Sequence, residues 1–355
     1  MDQIDNITAL LDLIPSPGFC VREGHICHIN PAAAFLALRV NDPIQPLLHT
    51  GKQEYSTLQN GILSLVLSVR SGRMDASVIH MGELDLFLLE QDAERSQLQS
   101  FALAAQHLRQ PLSGILTGFE SILSRHIPAS PEELEQKAKL NLSLHQMLRT
   151  ICNMSDAYLY SQKPIVRMEI RNISNLLNDL FEKSAALIEQ TGVHLQYTGI
   201  SEPVYSLADA DKLERAVENL LANAVKYSAP GDTVTARLSK HGDLLCLTVE
   251  DHGDGIGEDI RKNLYSRYLR QPGLGDIRDG IGLGIMLVRS IASLHGGTVI
   301  AQPAKGRGSR FTMTIAIREH GDSQLQSPML HIDYTGGRDP VLLELSEVLP
   351  WQLYE

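Results

Sequence analysis

The chain has 355 residues, and 31 Lys and Arg against 42 Asp and Glu give a formal net charge of −11. This acidic balance argues against a protein that grips nucleic acid over a broad basic face. No run of about 18 apolar residues is present, so we expect no membrane span. The N-terminus lacks the basic start of a signal peptide, and the four cysteines show no metal-type spacing, so we expect a reducing, cytoplasmic location.

The N-terminal region, residues 1–91, alternates short apolar runs with turn signals and is predicted to form a small ligand-binding or protein-contact module of mixed α/β structure. The predicted strands cover residues 19–21, 26–29, 63–69, 76–79 and 84–89. Cys20, His25, Cys27 and His28 lie close in sequence, and thiolate and imidazole groups suit zinc. Their spacing matches no standard zinc motif, so core and surface roles are favoured over a metal site.

Residues 92–162 show the clearest periodicity of the chain and predict a helical hairpin. Apolar residues recur at spacings of three and four in both helices: Leu98, Phe101, Ala105, Leu108, Leu112, Ile115, Phe119 and Ile122, then Leu140, Leu144, Met147, Ile151, Met154 and Tyr158. A hairpin buries only part of such a stripe. We therefore predict a homodimer through residues 92–162 that completes a four-helix bundle, the alternative being that the stripe packs on another domain of the same chain.

Residues 163–318 alternate helices, strands and glycine-rich loops, which predicts an α/β sandwich. In one helix, Asn219, Asn223 and Lys226 are spaced three to four apart and share a face. Asn oxygens can ligate Mg²⁺, and a neighbouring Lys can reach a phosphate. Alone the pattern is weak, because such residues often simply face water.

Three glycine-rich segments follow this helix. A strand ends at Asp251, where a carboxylate can accept the exocyclic amine of adenine, and runs into alternating glycines that allow close backbone approach. A second glycine segment opens a helix, whose exposed N–H groups suit phosphates, and a third forms a turn before the last strand. The glycines are Gly253, Gly255 and Gly257, then Gly280, Gly282 and Gly284, then Gly306 and Gly308.

The order of these segments resembles the ATP-binding domain of sensor histidine kinases. Residues 219–227 resemble the N box of that family, 251–257 its first glycine box, 264–270 its aromatic–Arg box with Tyr in place of Phe, and 280–284 and 306–308 its other glycine boxes. The hairpin is similar to the dimerisation and phosphoacceptor domain, and residues 1–91 look like a PAS sensor. The resemblance does not cover residues 319–355, a C-terminal extension in which an amphipathic helix is predicted to dock on the ATP-binding domain or on a partner.

The resemblance implies a multidomain α+β protein with ATP and Mg²⁺ as cofactors. It assigns Asn223 to Mg²⁺, Asp251 to the adenine amine, and Asn219 to catalysis as well as to nucleotide binding. Lys226, Arg267 and Arg270 would contact phosphates, Tyr227 would flank the nucleotide, residues 267–281 would be a mobile lid, and Gly253, Gly255, Gly257, Gly280, Gly282 and Gly284 would bind the cofactor.

The phosphoacceptor motif departs from the family pattern His-Glu-Leu-Arg-Thr-Pro-Leu. Aligning the Leu-Arg-x-Pro-Leu part places Gln106 at the acceptor position and His107 at the acidic neighbour. One residue is about 100° of helix rotation, so the two side chains leave opposite flanks of the helix. His107 also lacks a carboxylate beside it to hold its second ring nitrogen. Pro111 offers one escape, because a kink or bulge there could rotate His107 back.

The resemblance implies a two-component sensor histidine kinase that passes phosphate to a response regulator in a phosphorelay. The alternative is a degenerate kinase that binds ATP but lacks the phosphoacceptor and regulates a partner kinase or response regulator. In one version of that alternative, Gln106 or Gln110 orients water for phosphatase activity. A gyrase-like or chaperone-like ATPase is a third option, against which the hairpin with its Leu-Arg-x-Pro sequence argues.

Overall fold

The computed structural model describes residues 3–14, 16–70, 72–89, 92–123, 130–161, 167–253, 283–318 and 338–355. The helices are α1 (Gln3–Asp12), α2 (Lys52–Thr57), α3 (Asp92–Leu123), α4 (Pro131–Ser161), α5 (Ile173–Ile188), α6 (Ala210–Lys226), α7 (Leu283–Leu294) and α8 (Pro340–Glu344). The strands are β1 (Gly18–Arg22), β2 (His25–Ile29), β3 (Ile62–Val69), β4 (Gly72–Met81), β5 (Leu84–Leu89), β6 (Glu169–Asn172), β7 (His194–Thr198), β8 (Tyr205–Ala208), β9 (Thr233–His241), β10 (Leu244–Glu250), β11 (Val299–Pro303) and β12 (Ser309–Ala316). None of the described helices combines the length and apolar content that a bilayer span requires.

The N-terminal region forms an antiparallel sheet in the order β2-β1-β5-β4-β3. The five strands predicted from alternating apolar residues coincide with β1–β5. Phe19 and Phe87 stack at the centre of its core with ring centroids 4.8 Å apart. The Asn30 side chain accepts hydrogen bonds from the backbone N–H groups of Gly18 and Ala33, which fixes the turn after β2.

Helices α3 and α4 form the hairpin. The apolar seam predicted for α3 consists of two rows with different surroundings. Ala105 and Leu112 are buried in a cluster with residues of α4. Leu108, Ile115 and Ile122 are 50%, 56% and 65% exposed. The α-helix continues through Pro111, so the rotation between neighbouring residues is kept there. One row of the seam therefore holds the hairpin together, and the other faces outward.

The second half of the chain is a two-layer α/β unit. Strands β11, β12, β10, β9 and β7 are neighbours in that order, with β7 parallel to β9 and the other pairs antiparallel. Helices α5, α6 and α7 share one hydrophobic core with this sheet. A separate pair, β6 and β8, lies outside it. The mixed α+β architecture and the predicted sandwich character of this region are confirmed.

The sheets of the two regions join edge to edge. Strand β3 pairs with β11 antiparallel, so that the described strands form a continuous ten-stranded sheet. Beside this junction the Thr314 hydroxyl donates to the buried carboxylate of Glu54 over 2.8 Å. Gln302 donates to the side chain of Asn60 over 2.9 Å. Backbone pairing and side-chain bonds thus fasten the N-terminal region to the α/β unit.

The helix of the C-terminal segment, residues 339–355, is shorter than the sequence pattern predicts. The apolar pattern around 340–349 predicts one amphipathic helix, but α8 ends at Glu344 and a 3-10 turn follows at Trp351–Tyr354. A single straight helix presents its apolar residues along one stripe. Here Leu345, Leu349 and Tyr354 enter the core of the α/β unit, whereas Leu343 enters the cluster of the hairpin. The segment therefore docks on both.

Candidate nucleotide-binding site

Helix α6 positions three polar side chains on the α/β unit. Asp209 caps the helix by accepting from the backbone N–H of Lys212. The opposite face enters the core and fixes the rotation of the helix. Asn219 is buried, and its amide donates to the carbonyl of Arg215 over 2.9 Å. Asn223 is half-buried and makes no side-chain hydrogen bond within the described residues, and Lys226 ends the helix.

Asp251 follows β10 and is 3% exposed. Its Oδ1 accepts from the backbone N–H groups of Gly253, at 3.0 Å, and Ser309, at 3.1 Å. Burial raises the pKa of Asp251, and these two hydrogen bonds oppose the rise. Because both bonds go to Oδ1, Oδ2 is the oxygen that can accept from a ligand.

The glycines allow these segments to meet. A Cβ on Gly253 would collide with the carbonyl oxygen of Tyr227, and one on Gly308 with the carbonyl oxygen of Asp251. A Cβ on Gly284, at the start of α7, would lie 2.9 Å from Oδ1 of Asn219. The end of α6, the end of β10, the start of α7 and the turn before β12 are therefore in contact around one site.

The structure brings seven of the predicted site residues together. They are Asn219, Asn223, Lys226, Tyr227, Asp251, Gly253 and Gly284. Six others, together with the whole of the predicted lid at 267–281, lie outside the described residues: Gly255, Gly257, Arg267, Arg270, Gly280 and Gly282. Gln106 and His107 are both exposed on α3, and within the described residues His107 makes no hydrogen bond.

The site also contains charged residues that sequence reasoning missed. Glu344 of α8 is fully buried, and its Oε2 accepts from the amide of Asn219 over 3.2 Å. Arg149 of α4 reaches the other side of that amide, with Nη2 3.4 Å from Oδ1. Burial, and then the neighbouring Glu344 carboxylate, raises the pKa of Glu218 well above its usual value. Nothing local in the sequence signals these contacts, because each joins residues far apart in the chain.

The residues present fit a magnesium–nucleoside triphosphate. Asp251 offers a carboxylate oxygen to an exocyclic amine, and the glycines leave room for close backbone approach. Asn223 offers an amide oxygen suitable for Mg²⁺, and Lys226 offers an ammonium group for phosphate. Oxygen ligands and a cation on one helix face are the chemistry that such a ligand requires.

The cysteines and histidines of the N-terminal sheet take structural positions. Cys20 is buried and the Cys27 thiol donates to its carbonyl. The His28 ring lies 2.8 Å from the carboxylate of Asp12. No group of three or more potential metal-binding side chains occurs within the described ranges.

Replacement of Gly308 by Ala is expected to destabilise the α/β unit, whereas Gly306→Ala is its matched control. The two glycines have nearly equal φ values, 104° and 105°, so the conformational strain of an alanine cancels in the comparison. At Gly308 the methyl group would also collide with the backbone of Asp251, whereas at Gly306 no atom lies within 4 Å. We expect Gly308→Ala to lower the free energy of unfolding by ~2 kcal/mol more than Gly306→Ala in denaturant titrations. Equal losses would contradict this packing.

Comparison with known proteins gives a consistent set of similarities. Residues 208–319 match the family model of the histidine kinase-, DNA gyrase B- and HSP90-like ATPases. The sensor histidine kinase RppB of a Synechocystis species is 29% identical over 63% of this chain and 50% of its own length. The sensor histidine kinase CusS of Escherichia coli is 27% identical over 76% of this chain and 57% of its own.

Similarity extends to solved structures. Full-length ShkA in complex with AMPPNP matches with a TM-score of 0.49 and 22% identity, over 62% of this chain and 46% of that one. The chain therefore spans between half and three-fifths of the length of the two curated relatives.

Proposed function

We propose that this chain, which carries an ATPase domain of the histidine kinase, DNA gyrase B and HSP90 type and whose relatives are sensor histidine kinases, binds Mg-ATP and acts in two-component signal transduction. The observation that carries the proposal is the meeting of Asp251, the polar face of α6 and the start of α7 around one site. Mg-ATP supplies a transferable phosphoryl group when it is bound.

The proposal gives each residue a binding task. Asp251 accepts the adenine amine through Oδ2, because its Oδ1 is engaged by two backbone N–H groups. Asn223 offers its amide oxygen to Mg²⁺, and Lys226 holds the phosphates. Tyr227 is exposed at the end of α6 and flanks the nucleotide. Arg267 and Arg270 are proposed to add phosphate contacts from outside the described residues.

The surrounding regions take signalling roles in this proposal. Residues 1–91 form a PAS-like sensor, which the five-stranded antiparallel sheet supports. The hairpin at 92–162 forms a homodimer, which is supported by the exposed row of Leu108, Ile115 and Ile122 at intervals of seven residues. A response regulator or partner kinase receives the output in the cytoplasm.

The acceptor position separates two versions of the function. In the first, His107 accepts phosphate and the chain is a complete kinase. In the second, the chain binds Mg-ATP and regulates or dephosphorylates a partner without being phosphorylated itself. Gln106 favours the second version, because an amide stands where the family has its acceptor. The unbroken α-helix through Pro111 also favours it, because His107 then keeps its different flank.

The nucleotide proposal is tested by titrating the full chain with ATP, with and without Mg²⁺, in calorimetry. Asn223→Ala should weaken ATP binding roughly 10-fold with Mg²⁺ and little without it, because the change removes a metal ligand rather than a nucleotide contact. Wild type in EDTA is the matched control. An equal loss in both conditions would contradict the assignment of Asn223, and no binding by wild type would contradict the proposed function.

The dimer proposal predicts that Ile115→Glu produces monomers. Two copies of Ile115 would be desolvated in a symmetric bundle, and losing ~1.5–3 kcal/mol per side chain weakens association roughly 100-fold or more. Leu103→Glu is the control, because Leu103 is, like Ile115, an exposed aliphatic residue of α3 but lies off the heptad row. Sedimentation should show monomers for Ile115→Glu and dimers for Leu103→Glu. Dimers in both cases would place the interface elsewhere.

A further inference from the structure

The C-terminal segment, residues 339–355, lies between the hairpin and the α/β unit and bonds to both. Asn141 and Gln146 of α4 donate to the carbonyls of Tyr354 and Ser346, each over 2.9 Å. Leu345 and Leu349 fill the core of the α/β unit. The segment therefore holds α4 in a fixed position against the nucleotide-site helix α6.

Glu344 is the centre of this junction. Its carboxylate is fully buried and pairs with Arg149 of the hairpin, Nε to Oε2 3.2 Å, and with Arg215 of α6, Nε to Oε1 2.9 Å. The same carboxylate accepts from the amide of Asn219. Buried charges remain stable only when they are paired, and Glu344 supplies a carboxylate to both arginines, of which Arg215 also pairs with Asp156 of α4. Arg149 and Arg215 come from different parts of the chain, and Glu344 joins them.

Glu347 extends the junction to the phosphate end of the site. Its Oε1 lies 2.7 Å from Nη1 of Arg149, and its Oε2 lies 3.6 Å from Nζ of Lys226. Lys226 is the cation that the proposed function assigns to phosphate. A carboxylate at that distance neutralises part of its charge and repels an approaching triphosphate.

We propose that the C-terminal segment is an autoinhibitory contact: it holds the ATPase domain against the hairpin, and its Glu347 competes with the phosphates of Mg-ATP for Lys226. This inference rests on the proposed function and names the regulation of the same site. In the resting state Asn219 and Lys226 are engaged by carboxylates of this segment. Nucleotide binding and departure of the segment from Lys226 are then coupled, so that each favours the other.

The C-terminal segment contains a fluorescent residue that can report its position. Trp351 is the single tryptophan of the chain and lies within the segment, with Nζ of Lys139 5.7 Å from its ring centroid. Departure of the segment from α4 would change the environment of that ring. Tryptophan fluorescence and its quenching by acrylamide therefore report this contact without a label.

The test compares the full wild-type chain with Glu347→Gln and with Glu355→Gln. Glu355 is exposed at the end of the same segment, so its replacement removes an equal charge away from Lys226. We expect Glu347→Gln to bind Mg-ATP roughly two- to fivefold more tightly than Glu355→Gln in calorimetry, with a smaller difference at high salt. We also expect Mg-ATP to increase acrylamide quenching of Trp351 in wild type.

The outcomes distinguish failure of the autoinhibitory contact from failure of the proposed function. Equal affinities and unchanged quenching in proteins that bind Mg-ATP would overturn the autoinhibitory contact and leave the proposed function standing. Binding by Glu347→Gln with none by wild type would support the contact in its strongest form. No binding by any of the proteins would overturn the proposed function and this inference together.

Discussion

Replacement of Asp251 by Asn is expected to weaken nucleotide binding strongly while the α/β unit stays folded. Asparagine keeps an oxygen that can accept from the backbone N–H groups of Gly253 and Ser309, so the local structure survives. Its second polar atom is the amide nitrogen, which is a donor and cannot accept a hydrogen bond from the adenine amine. Two donors would then face each other. Losing a hydrogen bond to a charged acceptor costs about 1.5–3 kcal/mol, which corresponds to a roughly 10- to 100-fold weaker affinity.

Glu250→Gln is the matched control for this change. It removes the same charge one residue earlier in the chain, where the side chain of a strand residue points to the other face and pairs with Arg310. Calorimetric titration with Mg-ATP should show near wild-type affinity for Glu250→Gln and a roughly 10- to 100-fold weaker affinity for Asp251→Asn, with equal thermal stability for both variants. Normal binding by Asp251→Asn would exclude Asp251 as the adenine-reading residue.

The residues that meet at the candidate nucleotide site could be proposed from the sequence because each signal is local. Asn219, Asn223 and Lys226 share a helix face by spacing alone, and Asp251 is placed by the end of a strand. The glycines mark close approaches that side chains would prevent, as at Gly253 and Gly308. The sequence does not indicate which residue each glycine contacts, because residues such as Tyr227 and Gly253 meet only after the sheet has formed.

Contacts between residues far apart in the chain explain the features of the structure that the sequence did not predict. The pairing of β3 with β11 depends on two strand edges that carry ordinary apolar residues, so no pattern within either strand indicates its partner. The hairpin seam was predicted as one stripe, but the structure buries only the row with Ala105 and Leu112 within the chain. In the C-terminal segment, the apolar periodicity was visible, whereas the pairing of Glu344 with two distant arginines was not.

Installing the acceptor sequence of the sensor histidine kinases at residues 106 and 107 is expected to have the second large effect. The amide nitrogen of Gln106 is delocalised into its carbonyl and is a poor nucleophile. His107 leaves the helix about 100° away, and in-line transfer tolerates little misplacement, since about 1 Å costs roughly 100-fold in rate. Gln106→His combined with His107→Glu supplies an imidazole at the acceptor position and a carboxylate beside it. This double variant should gain phosphate roughly 100-fold faster than wild type.

The most direct measurement is incubation of the full chain with γ-labelled ATP and Mg²⁺, followed by quantification of acid-labile label on the protein. Wild type and His107→Ala should both remain at background, and the double variant Gln106→His with His107→Glu should become labelled. Adding Asp251→Asn to the double variant should strongly reduce that label at ATP concentrations that do not saturate the weakened site. Label on wild type that disappears in His107→Ala would contradict the prediction that this chain is not phosphorylated, because His107 would then accept phosphate despite its offset.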